Sequence, residues 1–329
     1  MSNVVIDLFK KGDGLCCLKE IYNLSDSQIT RIEDKVFEYA TPPMPKKKID
    51  ELITLLQTLP GETEAEIKNV KAFLLDKTRL NRWPRSECVS IFLEETGIKP
   101  DIFDVGNVMV HCKHICSSID HGESIRKYGL LKLTDLLEMK SPLSEFLRVH
   151  GIKVIPSECR IIVNGNETSI SQSGTYGVLY SKLYHDNGEV EVFISGDEKG
   201  LEEYSSVYHY PEILCTLDQA LHNSSNTLGW SWVNQKTETL MIQFDAYLDE
   251  CIIHEMPSSK YDMQKYYALV DFLSCSYDEE NIPHRFWENY WIIESCLENS
   301  TTLEARPEAY AAIKKDAIIS ADRLSIEVI

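Results

Sequence analysis

Six consecutive positions, His111 to Cys116, read His-Cys-Lys-His-Ile-Cys. They hold four side chains able to bind a metal, carry a proton or act as a nucleophile. Three chemistries compete for them. The first is zinc binding, which needs each donor about 2.0–2.3 Å from the ion. Same-face side chains on an extended strand repeat at roughly 6.6 Å, from a rise of about 3.3 Å per residue. Cys112, His114 and Cys116 in such a row cannot close around one ion, and no Cys-x-x-Cys accompanies them. The second is a core strand whose histidines are hydrogen-bonded and whose cysteines pack as small apolar groups. The third is a strand that presents a histidine to a cofactor.

The third reading draws on what comes next. A loop leads into SIRKYGLL, where Ile125 faces the core of a short helix and Gly129 ends it. Strand HCKHI, then Ile125, then Gly129-Leu130 resembles the opening of ADP-ribosyltransferases, in particular the bacterial toxin branch that modifies nucleic acids. In that branch the first strand reads like His-Ile-Thr-His-Ile. Lys113 stands here where that pattern has Thr or Ser, and the loop is several residues longer. The resemblance covers about twenty residues well, and residues 105–256 only as a mixed α/β pattern.

The resemblance implies NAD as co-substrate, bound folded in the cleft of a split antiparallel sheet without a glycine-rich fingerprint. It implies a histidine on the first strand for the adenosine-side ribose, an aromatic residue against nicotinamide, and a late glutamate on the nicotinamide ribose. A fixed carboxylate there stabilises the positive charge that develops as the glycosidic bond breaks. It can also orient or deprotonate the acceptor. By position His111 takes the histidine role, with His114 on the opposite strand face. Tyr180, central in TYGVLYSKLY, takes the aromatic role. Tyr176, Tyr180 and Tyr184 recur at four-residue spacing, which puts them on one face if the segment is a strand; cross-strand packing would explain such a face equally. Glu212 takes the carboxylate role, at a strand-to-helix junction where Pro211 can open the helix. A carboxylate there also complements the helix dipole. Glu238, at the start of ETLMIQF, is the alternative. The expected site is thus catalytic His111, Tyr180 and Glu212, with His111, His114, Tyr176 and Tyr180 binding NAD and no metal.

The elements that must position these residues change texture along the chain. Residues 1–100 read as helices: LSDSQITRIEDKVFEYA, KKKIDELITLLQTL, ETEAEIKNVKAFLLDKTRL and SECVSIFLEETG, the last ending at Gly97. Beyond residue 105, VGNVMVHCKHI, CRIIVNG, TYGVLYSKLY, EVEVFISGD, ETLMIQFDAYL and ECIIHEM read as strands. Asn187-Gly188 signals a hairpin between the third and fourth of these. GESIRKYG, KLTDLLEMKSPLSEFLRVHG and PEILCTLDQALHN read as helices among them. From about residue 258 helices return, in MQKYYALVDFLSC, HRFWENYWIIESCLE and RPEAYAAIKKDAII. The expected fold class is α+β: a helical domain over 1–100, then an ADP-ribosyltransferase-like split antiparallel sheet over 101–329 with flanking and C-terminal helices. The aromatic stretch HRFWENYWIIESC is expected as core, or as a docking helix for an inhibitory partner.

The formal charge of −19 falls almost wholly after residue 100. The first hundred residues carry 15 basic against 16 acidic side chains, and the rest carry 18 against 36. Such a surface repels phosphate backbones in general. There is no G-x-G-x-x-G, no Walker-type loop, no H-E-x-x-H and no G-x-S-x-G, so the common dinucleotide, P-loop, zincin and serine-hydrolase readings lose their support. Ten scattered cysteines predict reduced thiols, and no apolar run approaches a membrane span, so a cytoplasmic protein is expected. The function expected is ADP-ribose transfer from NAD to RNA, DNA or protein, by a toxin of a toxin–antitoxin or phage-defence system with an antitoxin or chaperone as partner. The alternatives are a non-catalytic interaction protein on the same fold and a metal-dependent nucleic-acid enzyme.

Overall fold

A computed structural model describes residues 3–39, 54, 85–185, 190–196, 208–221, 227–254, 256, 284–301 and 309–329. The chain is mixed α and β, and it divides into two compact units. One comprises residues 1–9, 106–256 and 307–329, and the other 10–105 and 257–306. Each is discontinuous in sequence, which differs from a single cut near residue 100.

The first unit is built on a seven-stranded sheet. Its strands are β1 (Val4–Ile6), β2 (Val108–Ser118), β6 (Val190–Ser195), β7 (Glu238–Tyr247), β8 (Cys251–Ile253), β9 (Ala309–Ile313) and β10 (Ser325–Val328). They run in the order β10-β7-β2-β6-β9-β8 and pair antiparallel, with β1 added parallel to β2 through Val4–Val108 and Ile6–Val110. The long β2 is central, with seven of its eleven residues buried and none exposed. Residues 152–169 form a separate three-stranded meander, β3 (Ile152–Ile155), β4 (Arg160–Val163) and β5 (Asn166–Ser169).

The unit also holds six described helices, two of which, Leu133–Glu138 and Pro142–Val149, pack on β3. They are α4 (Glu123–Tyr128), α5 (Leu133–Glu138), α6 (Pro142–Val149), α7 (Gly177–Tyr180), α8 (Glu212–Ala220) and α9 (Thr227–Val233). The expected single helix KLTDLLEMKSPLSEFLRVHG is broken into α5 and α6. Ser141 and Pro142 make the break, because Ser141 caps α6 by accepting from Ser144 N at 3.0 Å and Pro142 fills its first turn. Leu137, Phe146, Leu147, Ile161, Leu179, Leu217 and Trp232 belong to one core cluster of the unit, built by the helices and the meander. Ile115, Phe193 and Met241 form a smaller cluster.

Two expected elements have the other secondary structure. TYGVLYSKLY is not a strand: it forms α7 and then a wide π-type turn over Ser181–His185. A four-residue spacing of tyrosines is also a helical repeat, and Tyr180 N donates to Tyr176 O at 2.8 Å. Conversely, AYAAI in the expected helix RPEAYAAIKKDAII is strand β9, hydrogen-bonded to β6 on one side and β8 on the other. Two partner strands override the helix propensity of alanine. The Asn187-Gly188 hairpin signal lies outside the described residues, as do Lys46–Lys48, KKKIDELITLLQTL apart from Thr54, the whole of ETEAEIKNVKAFLLDKTRL, and MQKYYALVDFLSC.

The second unit contains α1 (Gly14–Ile21), α2 (Asp26–Tyr39), α3 (Arg85–Thr96) and α10 (His284–Thr301). Helix α10 is buried along nearly its whole length, including Phe286, Trp287, Tyr290 and Trp291. Those aromatics are core, so the docking-helix expectation does not hold. Tyr22 donates to Asn289 Oδ1 at 2.8 Å, and Asn289 Nδ2 donates to the carbonyls of Pro100 and Phe103. Gly14 lies so close to the Cys296 carbonyl that any side chain there would collide with it.

Candidate functional site

The sheet parts between its two central strands. β2 and β6 share one registered pair, Lys113 with Phe193. Next to it the His114 ring replaces the ladder, with Nδ1–H donating to the Glu191 carbonyl at 2.8 Å. A cavity of about 280 Å³ opens at this parting. Its walls are residues 114–118 of β2, residues 190–193 of β6, the start of α8 and, from the helical side, Ile125, Leu130, Leu133, Leu143 and Trp232. Tyr310 of β9 completes it.

Local sequence accounts for the cavity's rim. Gly129 ends α4 at φ +81°, its N–H donating to Ile125 O at 2.8 Å, and Leu130 N then donates to Ile319 O at 3.0 Å. A Cβ on Gly129 would strike the Ile319 carbonyl, so only glycine lets the chain turn here. The longer loop between β2 and α4 is tied by Asp120. Its carboxylate accepts from Ser118 Oγ at 2.6 Å and Ser124 N at 2.8 Å. Partial burial pushes this carboxyl up, but bonds from Ser118, Ser124 and the Gly122 amide outweigh it and hold the group below its ordinary range. Trp232 Nε1 donates to Ser117 Oγ at 2.9 Å and fixes the back wall.

Of the expected site residues, the cavity brings together His114 and Glu212. Burial pushes the His114 imidazole down, so it is neutral at physiological pH. Because Nδ1 carries the proton for Glu191, Nε2 is left as an acceptor. Glu212 opens α8 directly after Pro211, which stands just ahead of the first turn rather than in it. Its carboxylate pairs with Lys182 Nζ at 2.7 Å. Cys116, on the same strand face as His114, is pushed up to about 12 by burial and stays a thiol.

The other expected residues stand elsewhere. His111 does not line the cavity: its Nδ1 donates to Asp245 Oδ1 at 2.8 Å, and its ring packs edge-on against Phe9. Tyr176 is buried in the core cluster of the helices and meander, and Tyr180 packs at that cluster's margin with its ring 4.9 Å from Tyr184. Neither is among the residues that line the cavity. Glu238 pairs with His121 at 2.9 Å. The expected trio of His111, Tyr180 and a glutamate is therefore not assembled.

Three lining residues escaped the sequence reading. Phe193 and Tyr310, with rings 5.1 Å apart, give the cavity an aromatic wall. Reading AYAAI as a strand is what would have found Tyr310. Lys182 was hidden in the same misread run. Among the described residues no group of three His, Cys, Asp or Glu side chains could hold a metal ion, and no helix is long and apolar enough to cross a membrane. The nine described cysteines are free thiols. Comparison with protein-family models, curated proteins and solved structures finds no match to this chain.

Proposed function

We propose that this chain is an NAD-dependent ADP-ribosyltransferase that modifies a macromolecule, with a nucleic-acid base or a protein side chain as acceptor. The observation that supports the reading is the cavity at the parting of β2 and β6. It is bounded by the histidine strand, by the loop and by the short helix with Gly129-Leu130 on which the resemblance rests. His114, in place of His111, offers Nε2 to a ribose hydroxyl. Phe193 and Tyr310 offer an aromatic wall to nicotinamide. Glu212 offers its carboxylate to the ribose as the C–N bond breaks, and it acts only when Lys182 releases it. At about 280 Å³ the cavity falls just below the usual range of about 300–1,000 Å³ for ligand pockets, so it encloses one end of a dinucleotide and leaves the rest at the rim. In this reading the protein is a cytoplasmic toxin of a toxin–antitoxin or phage-defence system, held in check by an antitoxin or chaperone.

The test is incubation with NAD labelled in its ADP-ribose half, together with RNA, DNA and protein fractions. Label should move to one of the three, and Glu212→Gln should lower the rate by about 10²–10³-fold. Absence of NAD binding would refute the reading. NAD binding without transfer or hydrolysis would leave the second reading, a non-catalytic interaction protein. That reading is favoured by the engagement of Glu212 with Lys182.

A further inference from the structure

The charges around the cavity are unequal. Asp120, Glu191 and Glu212 line it, and Lys182 is the one lysine or arginine among its lining residues. His114 adds no positive charge, because burial keeps it neutral. An anionic ligand entering here meets an acidic lining and a single ammonium, and that ammonium is already paired with Glu212.

We propose that Lys182 is the anion-binding residue of this cavity and that its ion pair with Glu212 is a lock opened by a diphosphate-bearing nucleotide. The ammonium passes from the carboxylate to the phosphates, and the carboxylate is released towards the ribose. The inference rests on the reading of the cavity as an NAD site and adds the step that arms it. Three features make the exchange feasible. The pair is partly solvated, with side-chain exposures of 24% for Lys182 and 50% for Glu212, and pairs so exposed contribute little. A diphosphate presents more negative charge than one carboxylate, and the three donors of an ammonium can span two phosphates. Lys182 also lies in the π-type turn Ser181–His185, whose wider winding is a recurrent mark of functional positions. The lock links occupancy to chemistry: Glu212 stays neutralised until the phosphates arrive.

Calorimetric titration of the full chain with ADP-ribose, NAD, inorganic pyrophosphate and adenosine tests this. Lys182→Met should weaken ADP-ribose and pyrophosphate by roughly tenfold or more and leave adenosine unchanged, with Lys182→Arg restoring most of the loss. Glu212→Gln should strengthen ADP-ribose binding by about two- to fivefold, since the competing anion is gone. Higher salt should weaken binding more in the parent than in Lys182→Met. The proposal is overturned if Lys182→Met, folded by its thermal transition, binds ADP-ribose as the parent does, or if Glu212→Gln binds it less tightly. Should pyrophosphate bind through Lys182 while NAD and ADP-ribose do not, the anion site stands and the NAD reading falls. Should NAD bind parent and Lys182→Met alike, the NAD reading stands and the lock falls. If the parent binds none of the three anions, both fall.

Discussion

Single side chains on β2 divide the possible chemistries more sharply than their spacing did. Histidine on this strand was legible in the sequence as functionally interesting, but which histidine was not. Choosing between His111 and His114 needs to know where along β2 the sheet parts, and that is set by partners far away in the chain. The His114 environment has a consequence for stability. Burial pushes its folded-state pKa down, while the unfolded ring titrates near about 6.5. Below that pH the unfolded chain takes up a proton that the folded ring refuses. The contribution is therefore whole above about pH 6.5 and lost as pH falls towards the folded value. His114→Gln keeps a donor for the Glu191 carbonyl, and it should flatten part of the acid loss in denaturation midpoints measured from about pH 8 down to about pH 5. An equally steep loss in the variant would exclude His114 as its source. Thiol reactivity should sort in the same way. A maleimide on the native protein should label exposed Cys16 and Cys159 quickly and Cys116 slowly, because the latter is held as a thiol up to about pH 12. Peptide mass spectrometry with Cys116 among the first sites modified would contradict that.

At the scale of elements, legibility followed locality. Strands β2, β4 and β7, and helices α2, α4 and α8, were readable because their patterns and stop signals are their own. Gly129 as the stop of α4 is the plainest instance, and it yields a direct prediction. Gly129→Ala forces a left-handed conformation on alanine and drives its Cβ into the Ile319 carbonyl. It should cost about 1–3 kcal/mol in chemical denaturation. It should also weaken any ligand of the cavity, since Gly129 and Leu130 line its rim. A variant as stable as its parent would show that the rim relaxes freely. The two misread elements, α7 and β9, fail for a shared reason. Their sequences suit either state, and the deciding contacts come from elsewhere: the core cluster of helices and meander for α7, and β6 with β8 for β9. Misreading them hid Tyr310, which lines the cavity, and put forward Tyr180, which does not.

For the molecule as a whole, composition and charge located a change of texture near residue 100 but not the interleaving of the two units. Helix α10, late in the chain, packs with α1 and α3 from its beginning, and β1 belongs to the sheet. A truncation that begins at Pro100 should therefore aggregate, because it strips β1 from β2 and uncovers Phe286, Trp287 and Trp291. A soluble, cooperatively unfolding fragment from that start would show the helical unit to be dispensable. The seat of β9 carries a further consequence, for synthesis. It fills the slot between β6 and β8 although both precede it in the chain. As the polypeptide emerges from the ribosome, β6 and β8 must wait with bare edges until residues 309–313 arrive. Such non-local pairing is slow and prone to wrong partners. Phe193 on β6 meanwhile lacks Tyr310, the ring that closes the cavity with it. A nascent chain arrested before residue 309 should thus be inert towards ligand, so that translation itself delays the moment at which the protein becomes competent.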